Sequence, residues 1–158
     1  METEVVIRAA TRRDMPSILA LWEELMDFHA ARDPFWRPAQ DGRTVFARFL
    51  EQNLGNDAAC VLVAIVDGRV VGYCQAVVDR HPPVLAEPDY GHVLDFAVTA
   101  PYRGRGIGGR MVAALREWFA REGIRRIEVR HATGNELAAQ FWARMGFHAY
   151  LQTLFADL

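Results

Sequence analysis

The stretch Arg103-Gly104-Arg105-Gly106-Ile107-Gly108-Gly109 constrains this chain more than any other part of it. It lies between a run that reads as a strand, Val93 to Val98, and an apolar stripe at helical spacing: Ile107, Met111, Val112, Leu115, Trp118 and Phe119. Closely spaced glycines reach backbone conformations closed to other residues and let successive N–H groups turn toward one point. The N-terminus of the following helix adds about half a positive charge there. Arg103 and Arg105 add full charges. In a strand–turn–helix context such a nest suits a pyrophosphate. A tight turn with glycine for geometry alone is the plainer alternative.

The elements around this turn read as one mixed α/β domain over residues 1–158, without repeats or linkers. Glu4 to Arg8 reads as a short strand, and Thr11 and Asp14 have capping-box spacing. Met15, Ile18, Leu19, Trp22, Leu25 and Met26 form the inner stripe of a first helix, with Arg13, Ser17, Glu23, Glu24 and Asp27 on its wet side. A second helix is predicted from Gly42 or Arg43 to about Asn53. Ala59 to Val66 and Val70 to Val78 read as strands joined by an Asp67-Gly68 turn. Pro82, Pro83 and Pro88 exclude a central strand between Asp79 and Tyr90. Arg125 to Val129 is a further strand, and Asn135 caps a last helix that buries Leu137, Ala138, Phe141, Trp142 and Met145. Gly146 closes that helix, and Phe147 to Phe155 reads as a final strand.

The net charge of −2 lacks the basic excess of a nucleic-acid surface, and all 18 basic residues are Arg. No apolar run approaches the ~18 residues of a membrane span. Met1-Glu2-Thr3-Glu4 lacks the basic-then-apolar order of a signal peptide, so a soluble cytoplasmic protein is expected, with no nucleic-acid or membrane partner. If residues paired across the Asp67-Gly68 turn sum to 135, Cys60 faces Gln75, and Cys74 belongs to the opposite side of the sheet. Two buried thiols without a disulfide are then expected, and no metal centre.

Two phosphate-bearing ligands compete for the glycine turn. Gly104, Gly106 and Gly109 satisfy G-x-G-x-x-G, and Glu128 follows 19 positions after Gly109, as in a dinucleotide fingerprint. The context argues against it: only 28 residues follow Arg130, too few for the further βα units such a domain needs. Glu128 then reads as a solvated strand residue.

The other reading comes from a family likeness. Val98-Thr99-Ala100-Pro101-Tyr102-Arg103-Gly104-Arg105-Gly106-Ile107-Gly108 resembles the acetyl-CoA signature of the GCN5-related N-acetyltransferases (GNAT), Arg/Gln-x-x-Gly-x-Gly/Ala, met by Arg103, Gly106 and Gly108. Asn135 and Phe141-Trp142-Ala143-Arg144-Met145-Gly146-Phe147 look like the closing helix and strand start of that family. The resemblance runs from about Val5 to Phe155. It implies a mixed, mostly antiparallel sheet of six or seven strands with a splayed parallel pair, flanked by about four helices. It also implies transfer of an acetyl group from acetyl-CoA to a primary amine by direct attack on the thioester. Phe96, Ala97, Val98, Arg103, Gly104, Arg105, Gly106, Ile107, Gly108, Asn135 and Phe141 would then bind the cofactor. The pantetheine arm would pair with backbone at Phe96 and Val98, and the Val98 N–H would be the oxyanion donor.

The chief departure is Trp142, five positions before Phe147, where the family usually has an acidic tyrosine. An indole N–H only donates a hydrogen bond. The thiolate therefore leaves unaided, or Tyr90, Tyr73 or Tyr150 substitutes, or the domain binds acyl-CoA with weak or lost catalysis. For a base, some relatives carry Glu eleven positions before the first signature residue; here that is His92. Asp95, His131 and His29 are further candidates, Asp95 on the opposite strand face unless a bulge intervenes. Aromatic and acidic residues in 28–41 and 79–90 suit a cationic small-molecule or peptide amine acceptor. Residues 147–155 carry apolar bulk on both strand faces, which predicts a homodimer at that strand or the adjacent sheet edge.

Overall fold

A computed structural model describes residues 4–158. Five strands form one sheet in sequence order: β1 (Val5–Ala9), β2 (Ala59–Val66), β3 (Arg69–Arg80), β4 (Asp89–Val98) and β5 (Ile127–Val129). The first four pair antiparallel, and β5 runs parallel to β4. Helices α1 (Met15–Ala30) and α2 (Gly42–Leu54) cover one face. Helices α3 (Ile107–Arg121) and α4 (Glu136–Arg144) cover the other.

Local chemistry accounts for most of these boundaries. The Thr11 N–H donates to the Asp14 carboxylate at 2.8 Å, which also receives the Arg8 guanidinium at 2.8 and 2.9 Å, so β1 is clamped to the start of α1. Asp67 and Gly68 both have positive φ, 48° and 75°, the backbone of a two-residue hairpin turn. The prolines Pro82, Pro83 and Pro88 do confine the break between β3 and β4, but to residues 81–88. Asp79, Arg80, Asp89 and Tyr90 are strand residues, and Tyr90 is buried.

Two cores follow from alternation. Val61, Val63 and Tyr73 pack toward α1 and α2, where Trp22 stacks on Phe46 at 4.7 Å. Leu62, Ala64 and Ala76 pack toward α3 and α4 around Met111, Leu115 and Phe119. Cys60 and Cys74 are both in this second core, which corrects the expectation that they lie on opposite sides of the sheet. Val66 pairs with Arg69 and Ile65 with Val70, but Ala64 then pairs with Gly72. The extra residue, Val71, is a bulge that moves Cys74 opposite Leu62 and Cys60 opposite Ala76. One inserted residue reverses every face downstream. Both thiols are free and buried, and burial pushes the Cys60 thiol up to about 11.

The expected strand over Phe147 to Phe155 is absent. Residues 147–158 have no regular structure, and Leu151, Leu154 and Phe155 are exposed. Alternating apolar residues become a strand only with a hydrogen-bonding partner, and nothing among the described residues pairs with this segment. Among the described residues the sheet accordingly has five strands and not six or seven.

Candidate active site

The site begins where β4 and β5 part. Their parallel pairing covers three residue pairs, Gly91–Ile127, His92–Glu128 and Val93–Val129. There β5 ends while β4 continues to Val98, so the two chains splay and open a slot. A second bulge sits at the same place: Ala76 pairs with Val93 but Gln75 with Asp95, leaving Leu94 as the extra residue.

This bulge switches the edges of β4. Before it, the Gly91 N–H donates toward β5, to Arg126 O at 2.8 Å. After it, the Thr99 N–H donates toward β3, to Val71 O at 2.9 Å. Strand alternation then turns the backbone of Phe96 and Val98 into the slot. The Val98 carbonyl accepts from Arg103 Nε at 2.8 Å, which occupies one of its two lone pairs. The Val98 N–H remains directed at the slot.

The glycine turn forms the far end. Gly104 and Gly106 have φ of 74° and 76°, the left-handed region that glycine enters without strain. Gly106 starts α3, its carbonyl accepting from Arg110 N at 3.2 Å. No backbone N–H from Gly104 through Gly109 finds an acceptor among the described residues. Unmet donors at a helix N-terminus make an anion site. Gly108 has a different reason: a Cβ there would lie 2.8 and 3.0 Å from ring atoms of Phe141, so α4 closes on α3 only because none is present.

A cavity of about 430 Å³ joins slot and turn. Phe96, Ala97, Val98, Arg103, Gly104, Gly106, Ile107, Gly108, Asn135, Phe141 and Trp142 all line it. Of the cofactor residues read from the sequence, Arg105 alone is absent from these walls; its guanidinium lies 5.1 Å from the Tyr102 ring centroid. Asn135 is a cap, its Oδ1 accepting from Ala138 N at 3.1 Å. Trp142 is buried, with Phe96, Phe141 and Phe147 rings centred 5.1, 5.0 and 4.9 Å away.

The α1 wall comprises Leu21, Glu24, Leu25 and Phe28; the sequence reading included Phe28 in its acceptor segment but missed the other three. Glu24, assigned to the wet side, accepts from Thr99 Oγ1 at 2.8 Å and Ala100 N at 3.1 Å and lies 3.6 Å from Arg103. Arg103 is thus drawn toward α1 as well as the turn. The only signal was that Glu24 stands one helical step beyond Leu21, on a helix whose partner was unknown.

His92 is not part of the cavity wall. It stands at the closed end of the splay, on the α1 and α2 face with Tyr90, since Gly91 and Val93 face the other way. Asp79 Oδ2 lies 3.2 Å from His92 Nδ1 and accepts from the Tyr90 hydroxyl at 3.1 Å. The Arg80 backbone N–H first, then His92 and Tyr90, hold the Asp79 carboxyl below its ordinary range against the effect of burial. Glu128 is not a solvated strand residue. Its carboxylate takes Arg126 Nε at 2.7 Å, the Tyr150 hydroxyl at 2.7 Å and His81 Nε2 at 2.9 Å. Burial alone would raise its pKa, but these three bonds bring it down to about 2.

Ala97 packs toward α1 and α2, so Asp95, two residues before it, shares that face. The Leu94 bulge therefore puts His92 and Asp95 on one face, three positions apart. Gln75 Nε2 donates to Asp95 Oδ2 at 2.9 Å, and Asn53 Nδ2 donates to Gln75 Oε1 at 3.0 Å. Burial raises the Asp95 carboxyl above its ordinary range. Burial, then the Asp95 charge, pushes the Tyr73 hydroxyl up; it is wholly enclosed with no partner among the described residues. Tyr73, Tyr90 and Tyr150, considered as acids, do not line the cavity, whereas Tyr102 does. His29 stands beside Trp36 and His131 bonds Ala132 O; neither is in the wall.

Comparison with known proteins agrees with this arrangement. The model of the acetyltransferase (GNAT) family matches residues 20–147. An uncharacterized N-acetyltransferase of Methanocaldococcus jannaschii is 36% identical over 93 residues, 56% of this chain and 52% of that protein. The chain thus spans about half the length of that curated relative. Among solved structures, aminoglycoside acetyltransferase AAC(6')-Iy in complex with the bisubstrate analogue CoA-S-monomethyl-acetylneamine superposes with a TM-score of 0.78, at 18% identity over 99% of each chain. A tetramutant of a Bacillus halodurans protein superposes with 0.86, at 22% identity over 97% of this chain and 99% of that one. These likenesses concern the fold, and the family match covers most of the sequence: the chain belongs to the acetyltransferase (GNAT) family.

Proposed function

We propose that this chain transfers an acetyl group from acetyl-CoA to a primary amine, the amine attacking the thioester directly. The observation that carries the reading is the slot between β4 and β5 running into a turn whose N–H groups, Gly104 through Gly109, have no acceptor among the described residues. Those donors, with α3 behind them, fit a pyrophosphate, and the apolar walls from Phe96, Phe141 and Trp142 fit a pantetheine arm. Arg103 borders the same space, while Arg105 supplies charge from outside the wall. When bound, acetyl-CoA supplies an activated acetyl thioester.

The residues present would serve that chemistry as follows. The Val98 N–H donates to the acetyl oxygen as negative charge develops on it, a contribution of roughly 3–4 kcal/mol for a well-aimed donor. With Asp79 on His92 Nδ1, Nε2 has no partner among the described residues and would take the proton lost by the amine through water, since His92 stands outside the cavity wall. An alkyl thiol has a pKa near ~8.5, so the thiolate leaves without an obligatory acid, which accommodates Trp142. The aminoglycoside acetyltransferase with its acetylneamine analogue supports a polyamine-like small molecule as first acceptor to try.

Two further parts of the reading concern context. A second copy of the chain is proposed to cover the exposed Leu151, Leu154 and Phe155 beside the unpaired outer edge of β5, forming a homodimer. Two free buried thiols fit a reducing, cytoplasmic compartment, and no helix among the described residues is long and apolar enough to cross a membrane.

Trp142 also supports a second reading, a domain that holds acyl-CoA without turnover. Calorimetric titration with CoA and with NAD, followed by thiol release with neamine or 1,4-diaminobutane against buffer, separates these cases. Binding of CoA but not NAD, with amine-dependent thiol release, is expected. Failure to bind CoA overturns the proposal, and CoA binding without amine-dependent release favours the binding module. For the dimer, light scattering at micromolar concentration should give twice the 17.9 kDa chain mass; the single mass overturns it.

A further inference from the structure

We infer that Asp95 is the anchor for the positive charge of the acceptor, held in place by a buried amide relay from α2. The inference rests on the acetyl-transfer reading and assigns the acceptor half of the site.

The first observation is an unpaired charge. Asp95 is half-buried at the splay, yet among the described residues its carboxylate has no ion pair and receives one hydrogen bond, from Gln75 to Oδ2. Buried carboxylates elsewhere in this chain are matched by cations: Asp14 by Arg8, Glu128 by Arg126 and His81. Removing a carboxylate from water without a counter-charge costs several kcal/mol. Asp95 is not itself in the cavity wall but directly precedes Phe96, which is; a carboxylate kept unpaired beside the reaction slot leaves the counter-charge to a ligand, and the ligand that fits is an ammonium.

The second observation is how firmly the carboxylate is aimed. Gln75 is wholly buried, and its amide is fixed from the far side by Asn53, itself 7% exposed on α2. The two bonds, 3.0 and 2.9 Å, run from α2 through β3 to β4 and leave Asp95 Oδ1 without a donor among the described residues. Two buried amides spent on one carboxylate orient it rather than neutralise it. Tyr73, on the same face of β3, adds a wholly enclosed hydroxyl without a partner among the described residues, so this patch carries more polar capacity than those residues consume.

The third observation is location. The Leu94 bulge brings Asp95 onto the face that carries His92, and Ala97, next along that face, is already in the cavity wall. An ammonium that reaches Oδ1 past Ala97 therefore lies on the face that carries His92, beside the slot and outside the cavity wall. Gln75 and Asn53 are positioning residues; Asp95 touches the acceptor.

The test uses 1,4-diaminobutane titrated into the full chain saturated with CoA, read by calorimetry, with CoA affinity and melting temperature measured in parallel. Asp95→Asn should weaken diamine binding at least tenfold, leave CoA affinity within twofold, and hold or raise the melting temperature, since it removes an unpaired charge. Gln75→Met, which cuts the relay, should weaken the diamine severalfold with CoA affinity kept. Unchanged diamine affinity in Asp95→Asn, or no diamine binding by the CoA-saturated wild type, overturns the anchor while the acetyl-transfer reading stands. A lowered melting temperature in Asp95→Asn with unchanged diamine binding assigns Asp95 to structure instead. Loss of CoA binding in the wild type fails the acetyl-transfer reading itself.

Discussion

Replacing Gly108 and Gly109 by alanine, one at a time, separates packing from helix propensity at the heart of the site. Both glycines lie in the first turn of α3, where alanine is favoured over glycine by roughly 0.5–1 kcal/mol. At Gly109 the added Cβ would meet only Met145 Sδ at 3.9 Å, an ordinary contact, so the propensity gain should survive. At Gly108 it would lie 2.8 and 3.0 Å from the Phe141 ring, inside contact distance, and the ring must move. Phe141 is also fixed by Phe96 at 5.3 Å and Trp142 at 5.0 Å, so its shift disturbs the aromatic wall of the cavity. Overpacking of this kind costs about 1–3 kcal/mol. The two variants should therefore differ by a similar amount, or roughly 2–12 °C in melting temperature for a chain of this size. Scanning calorimetry measures the gap. Titration should show CoA binding to Gly108→Ala weakened about tenfold, equivalent to 1.4 kcal/mol. Equal melting temperatures, together with unchanged CoA affinity in Gly108→Ala, would refute the claim that this glycine exists to let Phe141 close on α3.

Three other outcomes are expected. His92→Gln should lower kcat/KM about 10²-fold and flatten the acid limb of its pH profile, and an unchanged profile removes His92 from proton transfer. Asp14, brought down to about 2 chiefly by its bond to Arg8, against burial and with help from Thr11, contributes stability above its ordinary value near 3.8 that fades as pH falls toward 2. Asp14→Asn should thus melt roughly 4–8 °C lower at pH 7, about 2 kcal/mol, with the gap closing between pH 4 and pH 2 in calorimetry; a constant gap would refute the Arg8 attribution. Trp142→Tyr should maintain or raise turnover, at a stability cost below the roughly 3–5 kcal/mol of truncating a buried tryptophan. A rate loss beyond tenfold with intact CoA binding would mean that the indole shapes the acceptor site.

What the sequence alone determined is local. The glycine turn, the helix stripes, the Asn135 cap and the Asp67-Gly68 hairpin depend on residues within a few positions of each other, and each stands where its chemistry puts it, except that Leu137, expected in the buried stripe of α4, is exposed. The residues proposed to hold the cofactor were legible as a group for that reason: strand end, turn and helix start are contiguous, and of those residues Arg105 alone is outside the cavity wall. What the tertiary structure decided depends on partners distant in the chain. A bulge at Val71 put Cys60 and Cys74 in one core, and another at Leu94 put His92 and Asp95 on one face. Alternation is exact only while register holds, and register belongs to two strands, not to one. The residues after Phe147 alternate as a strand should, yet form none without an edge to pair with. Glu24 and Glu128 looked solvated because their donors, Thr99, Arg103, His81 and Tyr150, lie 22 to 79 positions away. Whether a carboxylate is a wet surface group or a fixed acceptor depends on such neighbours, and only folding supplies them.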